Sequence, residues 1–335
     1  MKKFSTHVGI DVSKSTLDVC ILKAEGMSVV GMSVVPNTQQ GIRRVFRELR
    51  HLNAYGDDTL FCFENTGVYS VPLCLCLSEA GLPYWEVPAL EIKKSKGITR
   101  GKTDRTDAQD IARYSVRSLD KFKASSMPEV EIQRMKVLFA ERDKTVRALK
   151  LFESTTEGAA FLPPSIYKSV ESQNRKTIAY LRKALRAIDA KIRGVRERNE
   201  PLNAQYNLLR SVPGIGDVTA TYMIIATGGF KRFGSWRKFA CYSGIAPFQY
   251  ASGSSIRGKT RVNHLADKKM KSLLNMAVLS AVKHDPELKE YYERKKHEGK
   301  NPMLVLNNIR CKIVSRAFAV IDRASPYVNL KKFAA

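Results

Sequence analysis

The chain has 335 residues, enough for two compact domains, and 44% of them are hydrophobic, which excludes gross disorder. Lys and Arg number 57 against 32 Asp and Glu, and the formal net charge of +25 favours nucleic acid as a partner over an anionic membrane. No apolar run reaches the roughly 20 residues of a membrane-spanning helix, so we expect no membrane among its partners.

The first third of the chain alternates between strand and helix patterns. Residues 7–23 hold two short β-rich runs, and the polar stretch Asp11–Ser15 is predicted to be the turn between them. Further elements follow in the order strand, helix, strand, helix, strand, helix, over residues 27–35, 38–49, 60–64, 68–80, 84–87 and 106–116. Three successive strands followed by alternation predict an α/β domain with a mixed sheet.

The middle of the chain is predicted to be helical only. One helix covers residues 129–153, Pro163 and Pro164 interrupt the pattern, and a second helix carries apolar residues at heptad spacing. These seam residues are Ile178, Leu181, Leu185, Ile188, Ile192 and Val195. The two helices are predicted to form a long antiparallel hairpin, which is either an intramolecular spacer or an arm for dimerisation or RNA gripping.

A third section begins near residue 201 and contains a strongly basic block. Between Lys231 and Lys283, eleven Lys or Arg residues stand against a single acid, Asp267. Because a solvated helical face normally mixes both signs, this block is the best local candidate for contact with a phosphate backbone.

A glycine-containing turn precedes the basic block. Pro213, Gly214 and Gly216 belong to a P-G-I-G turn between two predicted helices. Such a turn is typical of a helix-hairpin-helix, whose glycines let backbone amides approach a phosphate at a helix N-terminus. In a protein of this charge we interpret it as a nucleic-acid-binding element, and an ordinary helix turn is the alternative.

Four carboxylates are candidates for a metal site. Asp11 follows one apolar strand and Glu64 ends another, so they lie side by side if the strands are neighbours. Asp104 and Asp107 are predicted at the start of a helix, on one face, where helix capping is the alternative. Close carboxylates repel unless a cation neutralises them, and oxygen ligands favour Mg²⁺, or Mn²⁺, over zinc. Four of them could hold two Mg²⁺ for phosphodiester chemistry.

A segment of small residues, 250–259, is predicted to be a flexible surface loop. Arg257, Lys259 and Arg261 would attract a phosphate to the serine hydroxyls of this segment. The segment itself contains no histidine base, so a serine nucleophile here would need activation by a metal or by arginines.

The cysteines and histidines give no sign of a zinc site. The five histidines do not cluster, and the six cysteines lack metal-ligand spacing: Cys20, Cys62, Cys74, Cys76, Cys241 and Cys311. We expect the cysteines to be buried, reduced thiols in a cytoplasmic protein.

Several short motifs occur in an order that is found in one family. GIDVSK, FENTG, KTDRTDAQDIA, VPGIG, FACYSGIAP and SGSSIRG follow one another over nearly the whole chain. In this order they resemble the DEDD transposases of bacterial insertion sequences, a family that includes the Piv-type DNA invertases. Each motif is weak by itself, and the joint pattern is specific.

The resemblance implies three parts. These are a RuvC-like catalytic domain of the RNase H fold over residues 1–125, a helical coiled-coil segment over 126–200, and a mainly α transposase domain over 201–335, with a helix-hairpin-helix and a serine loop. It also implies a nucleoid-associated recombinase that acts on DNA as a homodimer or homotetramer, guided by a structured bridge RNA.

The resemblance also implies residue roles. Asp11, Glu64, Asp104 and Asp107 fall on the family's metal-binding tetrad, and Ser252 falls on a serine implicated in covalent attack on DNA. Attack of this serine on a phosphate polarised by Mg²⁺ would give a phosphoserine linkage and a free 3′-hydroxyl. Strand exchange and reversal of the linkage would follow without a high-energy cofactor. Ser254 and Ser255 stay open as alternative nucleophiles.

Three other functions stay open. A Holliday-junction resolvase-like metal nuclease would use the same acids with water as nucleophile and would leave no protein–DNA adduct. An actin-like sugar kinase would need a second Gly-rich D-x-G loop, which the sequence lacks. A non-catalytic nucleic-acid-binding protein would keep its function without the acids, and the positions of the acids argue against it.

Overall fold

The computed structural model describes residues 4–96, 103–157, 161, 163–252, 256–262 and 265–329. The chain divides into two compact units, residues 1–127 and residues 128–335. This division lies near the predicted limit at residue 125, whereas the second predicted limit, at residue 200, falls inside the second unit. Among the described residues, no helix is long and apolar enough to cross a membrane.

The first unit is built on a five-stranded mixed sheet of order β3-β2-β1-β4-β5. The strands are β1 (Thr6–Val12), β2 (Thr16–Lys23), β3 (Ser28–Pro36), β4 (Thr59–Glu64) and β5 (Tyr84–Val87). The first three strands pair antiparallel, β1 pairs parallel with β4, and β4 pairs parallel with β5. The predicted mixed α/β sheet is therefore confirmed.

Helices cover both faces of this sheet. They are α1 (Gln39–His51), α2 (Val71–Glu79), α3 (Ala89–Ser95) and α4 (Asp104–Arg117). Alternate strand residues such as Val8, Ile10 and Phe61 form one core with α1 and α2, while Cys62 and Trp85 face α3 and α4. Helix α3 is absent from the sequence prediction, because its seven residues are too few for a clear helical period.

The turn predicted over residues 11–15 is wrong at its start. Strand β1 continues to Val12, and Asp11 pairs with Asp18 of β2 in the antiparallel ladder. Val12 is buried in the core, which keeps the strand extended past the acid. The turn is limited to residues 13–15, where the Ser13 hydroxyl donates to the Thr16 carbonyl at 2.9 Å.

The second unit begins with a helical hairpin formed by α5 (Val130–Glu157) and α6 (Pro164–Glu197). Ion pairs of Arg142 with Asp189 at 2.7 Å and of Arg182 with Glu153 at 2.8 Å show that the helices run antiparallel. The predicted seam residues of α6 are half-buried, and Ile192 is fully buried. This burial within the chain favours the intramolecular interpretation, and the arm for dimerisation or RNA gripping stays a prediction.

The rest of the second unit is mainly helical. It contains α7 (Glu200–Ser211), α8 (Asp217–Thr227), α9 (Trp236–Tyr242), β6 (Pro247–Ser252), β7 (Ile256–Val262), α10 (Lys268–His284), α11 (Pro286–His297) and α12 (Pro302–Asp322). One core joins α5, α7, α8, α9, α10 and α12 around side chains such as Phe239, Leu274 and Ile313. Strands β6 and β7 pair antiparallel, so the prediction of a loop over residues 250–259 is wrong for the residues described there.

The single acid of the basic block has a structural role in the second unit. Asp267 caps α10 by accepting from the Met270 amide at 2.8 Å, and it accepts from the hydroxyls of Tyr222 at 2.8 Å and Tyr242 at 2.7 Å. Because these bonds join α8, α9 and α10, the carboxylate organises three helices, of which α9 and α10 carry basic residues of the block.

Candidate active site

Two central strands of the first unit bring Asp11 and Glu64 to the same face of the sheet. Asp11 lies near the end of β1, and Glu64 ends β4, directly after the parallel pair Ile10 and Phe63. Side chains alternate along a strand, so Asp11 shares the face of Gly9, and Glu64 shares the face of Cys62. This is the face that α4 covers.

Helix α4 brings the other two acids to this face. Its first turn contains Asp104 and Asp107, and it is fixed by a capping box in which the side chains of Thr103 and Thr106 bond each other's backbone amides. The helix packs closely against β1 at Gly9, where a Cβ atom would overlap the Ala108 carbonyl oxygen. Glycine at this position therefore lets the helix approach the strand that carries Asp11.

The structure brings three of the four predicted acids into one cluster. One carboxylate oxygen from each of Asp11, Asp104 and Asp107 lies within 4.8 Å of the other two. Glu64 is not part of this group among the described residues, although its charge is close enough to raise the pKa of Asp11. We call Asp11, Asp104 and Asp107 the carboxylate cluster.

The electrostatics of the carboxylate cluster are unfavourable for an ionised acid. Burial and the charges of Asp107, Asp104, Glu64 and Asp18 raise the pKa of Asp11 to about 6. The pKa of Asp18, its partner across the ladder, is also raised, first by burial and then by Asp104. A bound cation would relieve this repulsion, and a donor set made only of carboxylate oxygens fits Mg²⁺ or Mn²⁺.

Lys96 is a residue of this site that the sequence analysis misses. Its ammonium group forms an ion pair with Asp107 and lies 3.5 Å from Asp110. Burial lowers the pKa of Lys96, but the hydrogen bonds and charges of Asp107 and Asp110 outweigh it and raise the pKa overall. A positive charge therefore already lies against one edge of the carboxylate cluster.

The predicted nucleophile Ser252 belongs to the second unit and is the last residue of β6. It pairs with Ile256 of β7. Residues 253–255, which include the alternative nucleophiles Ser254 and Ser255, lie outside the described residues. Arg257 and Lys259 follow in β7, as does Arg261, whose side chain is exposed. The predicted serine and the three basic residues therefore lie on one β-hairpin.

The predicted nucleic-acid-binding turn joins α7 to α8. Gly214 has a φ of +89°, and a Cβ atom there would overlap the Ala277 carbonyl oxygen of α10, so this glycine is needed for helix packing. Gly216 precedes the first residue of α8 and has open space around its Cα atom. Of the two glycines, Gly216 is thus the one whose surroundings leave room for a phosphate.

Two protein-family models match the chain. A model for the Transposase IS116/IS110/IS902 family matches residues 206–293. An IS110-type DEDD model, described as a transposase, matches residues 8–153. The chain belongs to the IS110 family of DEDD transposases. In this IS110-family protein the match over residues 8–153 contains all four predicted acids, and the match over residues 206–293 contains Ser252.

Curated relatives of this IS110-family protein include DNA-inverting proteins. The pilin gene-inverting proteins of Moraxella bovis and Moraxella lacunata are 28% and 27% identical to it, and both alignments cover 96% of this chain and 97% of the relative. An uncharacterized protein of insertion element IS110 from Streptomyces coelicolor is 28% identical over 42% of this chain and 34% of its own length. The sequence-based assignment to this family is thus confirmed.

Solved structures of RuvC from Thermus thermophilus also match. One, in complex with a Holliday junction substrate, has a TM-score of 0.28 and 13% identity. Another has a TM-score of 0.27 and 16% identity. Each comparison covers 36% of this chain and 99% of the RuvC chain.

Proposed function

We propose that this IS110-family protein is a transposase that cuts and rejoins DNA with a metal-binding tetrad and a serine nucleophile. The observation that supports the proposal best is the carboxylate cluster, in which three acids from β1 and α4 lie within 4.8 Å of one another. The mixed sheet that presents these acids agrees with a RuvC-like domain of the RNase H fold. An unfavourable cluster of like charges is typical of a functional site.

In this proposal Asp11, Asp104 and Asp107 hold Mg²⁺, with Mn²⁺ as a substitute, and Glu64 completes the tetrad from β4. When bound, the metal would neutralise the acids and polarise the scissile phosphate. The residues themselves fix the position of the donors, because Asp11 lies in a paired strand and the two α4 acids follow a capping box. Lys96 holds Asp107 by an ion pair.

Ser252 is proposed as the nucleophile. Its hydroxyl oxygen forms a bond to phosphorus while the bond from phosphorus to the 3′-oxygen breaks, and the serine proton is released as the leaving oxygen gains one. The products are a phosphoserine linkage and a free 3′-hydroxyl. Attack by the 3′-hydroxyl of another strand reverses the step and rejoins the DNA, so no energy source is consumed.

Nucleic-acid contacts are proposed for the basic part of the second unit. Arg257, Lys259 and Arg261 of β7 would neutralise phosphates near Ser252. Pro213, Gly214 and Gly216 would present the α8 N-terminus to a backbone, with Gly216 as the contact. Asp217 in the first turn of α8 is neutralised by Arg210 at 2.9 Å, which lowers the repulsion of a phosphate there.

Assembly and guidance complete the proposal. The acids and the serine lie in different units of the chain, so we propose that a site is completed between subunits of a homodimer or homotetramer. A structured bridge RNA would pair with target and donor DNA. The support for this guide is the membership of the IS110 family.

The proposal is tested by covalent capture of DNA. The full-length protein is incubated with Mg²⁺, duplex DNA from both flanks of its gene, and RNA transcribed from those flanks; protein–DNA adducts are then counted after denaturation. We expect Asp11→Asn and Ser252→Ala each to lower adduct formation by about 100-fold or more, and EDTA to abolish it. Omission of the RNA is expected to abolish it too.

Matched controls separate the assignments. Ser254→Ala, Ser255→Ala and Asp120→Asn are expected to form adducts as the unmodified protein does. Adducts with Ser252→Ala would refute the serine assignment, and turnover in EDTA would refute the metal. Adducts of undiminished yield without RNA would refute the guide.

Two alternative functions give different products. A Holliday-junction resolvase-like nuclease would cut DNA without any adduct, because water would be its nucleophile. An invertase is favoured by the similarity to the pilin gene-inverting proteins over 96% of the chain. Sequenced product junctions would distinguish inversion of a segment from its insertion or excision.

A further inference from the structure

A groove on the first unit lies between α1 and α2 and has no role in the function proposed above. Its volume is about 640 Å³, and Arg43, Arg47 and Arg50 of α1 line one side of it. Glu79 of α2 is the acid that lines it, and Phe46 contributes apolar surface. We call it the α1–α2 groove.

The three arginines form a continuous positive edge. They are spaced i, i+4 and i+7, which puts them on one side of the helix. All three are exposed, and within the part of the chain that the structure describes they form no ion pair. Three cations against a single acid leave the groove with an excess of positive charge that an anion would neutralise.

One of the arginines is held in position. The guanidinium of Arg50 lies over the ring of Tyr55, 4.2 Å from its centre, and that ring packs edge-on against Phe46. Stacking on an aromatic ring restrains the side chain and leaves the N–H groups at its edge available to bond a phosphate. The entropy cost of ordering this arginine on binding is therefore reduced.

The α1–α2 groove is separate from the carboxylate cluster. Helices α1 and α2 pack on the face of the sheet formed by residues such as Val8 and Ile10, whereas Gly9 and Asp11 lie on the opposite face under α4. The part of a ligand that lies in the groove therefore cannot contact the acids. Any role of the groove is in binding and not in the chemical step.

We infer that the α1–α2 groove binds the sugar–phosphate backbone of duplex DNA, a second contact of the protein with its substrate. The inference rests on the proposal that the protein acts on DNA. Seven residues of α-helix span about 10 Å, and phosphates of one DNA strand recur about every 3.4 Å along the axis. Three arginines over this length can therefore contact neighbouring phosphates of one strand.

The test measures binding alone, with the full-length protein, a fluorescent 30-base-pair duplex and EDTA, over a range of salt concentrations. The slope of log affinity against log salt is negative, and each lost phosphate contact reduces its magnitude by about 0.9. We expect Arg47→Gln to reduce this magnitude by about 1, and the combined Arg43→Gln, Arg47→Gln and Arg50→Gln change to reduce it by about 2 to 3.

Two further variants keep the test independent of folding. Arg44→Gln removes the same charge from an exposed position of α1 that does not line the groove, and it is expected to leave the slope unchanged. Glu79→Gln removes the acid of the groove and is expected to strengthen binding by about threefold, a gain that misfolding cannot produce. Equal losses with Arg44→Gln and Arg47→Gln, or no gain with Glu79→Gln, would overturn the inference.

The same series is repeated with an RNA duplex in place of DNA. Losses that are confined to RNA would overturn the assignment to DNA. Because no metal is present and no bond is cut, this experiment is independent of the adduct assay. Failure of the groove variants would leave the carboxylate and serine assignments intact, and failure of the adduct assay would leave the groove contact intact.

Discussion

His7 lies in β1, four positions before Asp11, and its side chain is only 1% exposed. Burial lowers its pKa to about 4, against a smaller opposite effect of a hydrogen bond with the Phe4 backbone. Its Nδ1 atom lies 2.8 Å from the hydroxyl oxygen of Ser115 in α4, and that hydroxyl donates its proton to the Ala112 carbonyl. The neutral imidazole therefore belongs to the contact between β1 and α4.

This lowered pKa predicts a loss of stability in acid. Between pH 6.5 and 4 the unfolded chain binds a proton that the folded chain does not, so the free energy of unfolding falls as the pH falls through this window. We expect the loss to be about 2 to 3 kcal/mol, and we expect it to be absent in His7→Leu. Urea unfolding at several pH values, in EDTA, measures it.

The free energy of unfolding is compared between the unmodified protein and His7→Leu, because Asp11 titrates in the same pH window and changes the stability in the opposite direction. Its raised pKa makes stability fall as the pH rises from about 4 to about 6, and this contribution is common to both proteins. At pH 8 the difference between them reports packing alone. Parallel stability curves from pH 8 to pH 4 would contradict the prediction.

The sequence predicted the acids of the candidate site but not their neighbour Lys96. Asp11 and Glu64 could be found because each follows an apolar strand, and Asp104 and Asp107 because they begin a helix. Lys96 stands in a run with several other lysines, and nothing in its spacing distinguishes it. Its role depends on the position of α3 relative to α4, which is a tertiary contact that a local pattern does not encode.

The packing of α4 on β1 decides the geometry of the carboxylate cluster. Gly9 meets the backbone of α4 at Ala108 and Ala112, both fully buried. Small residues on both sides allow the helix axis to approach the sheet closely. The first turn of α4 then reaches the end of β1, where Asp11 lies.

Gly9→Ala is expected to disturb this contact and the proposed metal site together. The added Cβ would overlap three backbone atoms of α4, at Ala108 and Ala112. Backbone atoms cannot move aside as a flexible side chain can, so the helix must shift. Overpacking of this kind costs about 1 to 3 kcal/mol of stability. We expect Mn²⁺ affinity to fall about tenfold or more by isothermal titration calorimetry, because Asp104 and Asp107 move with the helix.

Gly56→Ala is the matched control in the same unit. Its nearest contact would be the Asp58 carboxylate at 3.4 Å, an ordinary van der Waals distance. We expect its stability and Mn²⁺ affinity to stay near those of the unmodified protein. Unchanged Mn²⁺ affinity in a destabilised Gly9→Ala protein would show that the close approach serves stability only.

At the level of elements, short apolar and β-rich runs were a reliable guide in the first unit. The predicted strand at residues 84–87 has the same bounds as β5, and the other predicted strands of this unit differ from the observed ones by a few positions at their ends. The sequence did not predict strands β6 and β7, because these segments contain Gly, Ser and charged residues and have no continuous apolar run. Pairing with each other holds these two strands extended.

On the scale of the whole molecule, the net charge of +25 was sufficient to predict a polyanionic partner, but it did not say which surfaces bind. The sequence located one basic block, in the second unit. The sequence analysis did not identify the arginines of the α1–α2 groove as a basic surface. They are separated along the sequence, and only the helical spacing of α1 brings them to one side. The net charge is a sum over the whole chain and does not show where basic residues form a surface.

The proposed division of chemistry between units predicts how subunits cooperate. Asp11→Asn keeps the serine and Ser252→Ala keeps the acids, so each protein alone is expected to form no adduct. If a site takes its acids from one subunit and its serine from another, co-expression of the two variants restores some sites. With random assembly, half of the acid positions and half of the serine positions are intact, so about a quarter of the adduct yield returns.

The co-expressed mixture is compared with each variant alone and with the unmodified protein, at equal total concentration and with the same DNA. Both variants must first bind duplex DNA in EDTA as the unmodified protein does, since a misfolded partner would also give no adduct. Recovery of about a quarter supports sites completed between subunits, for a dimer and a tetramer alike. If the acids and the serine of one subunit act together, every site in the mixture has one defect. No adduct would then form, and the proposal of a shared site would fail while the residue assignments stood.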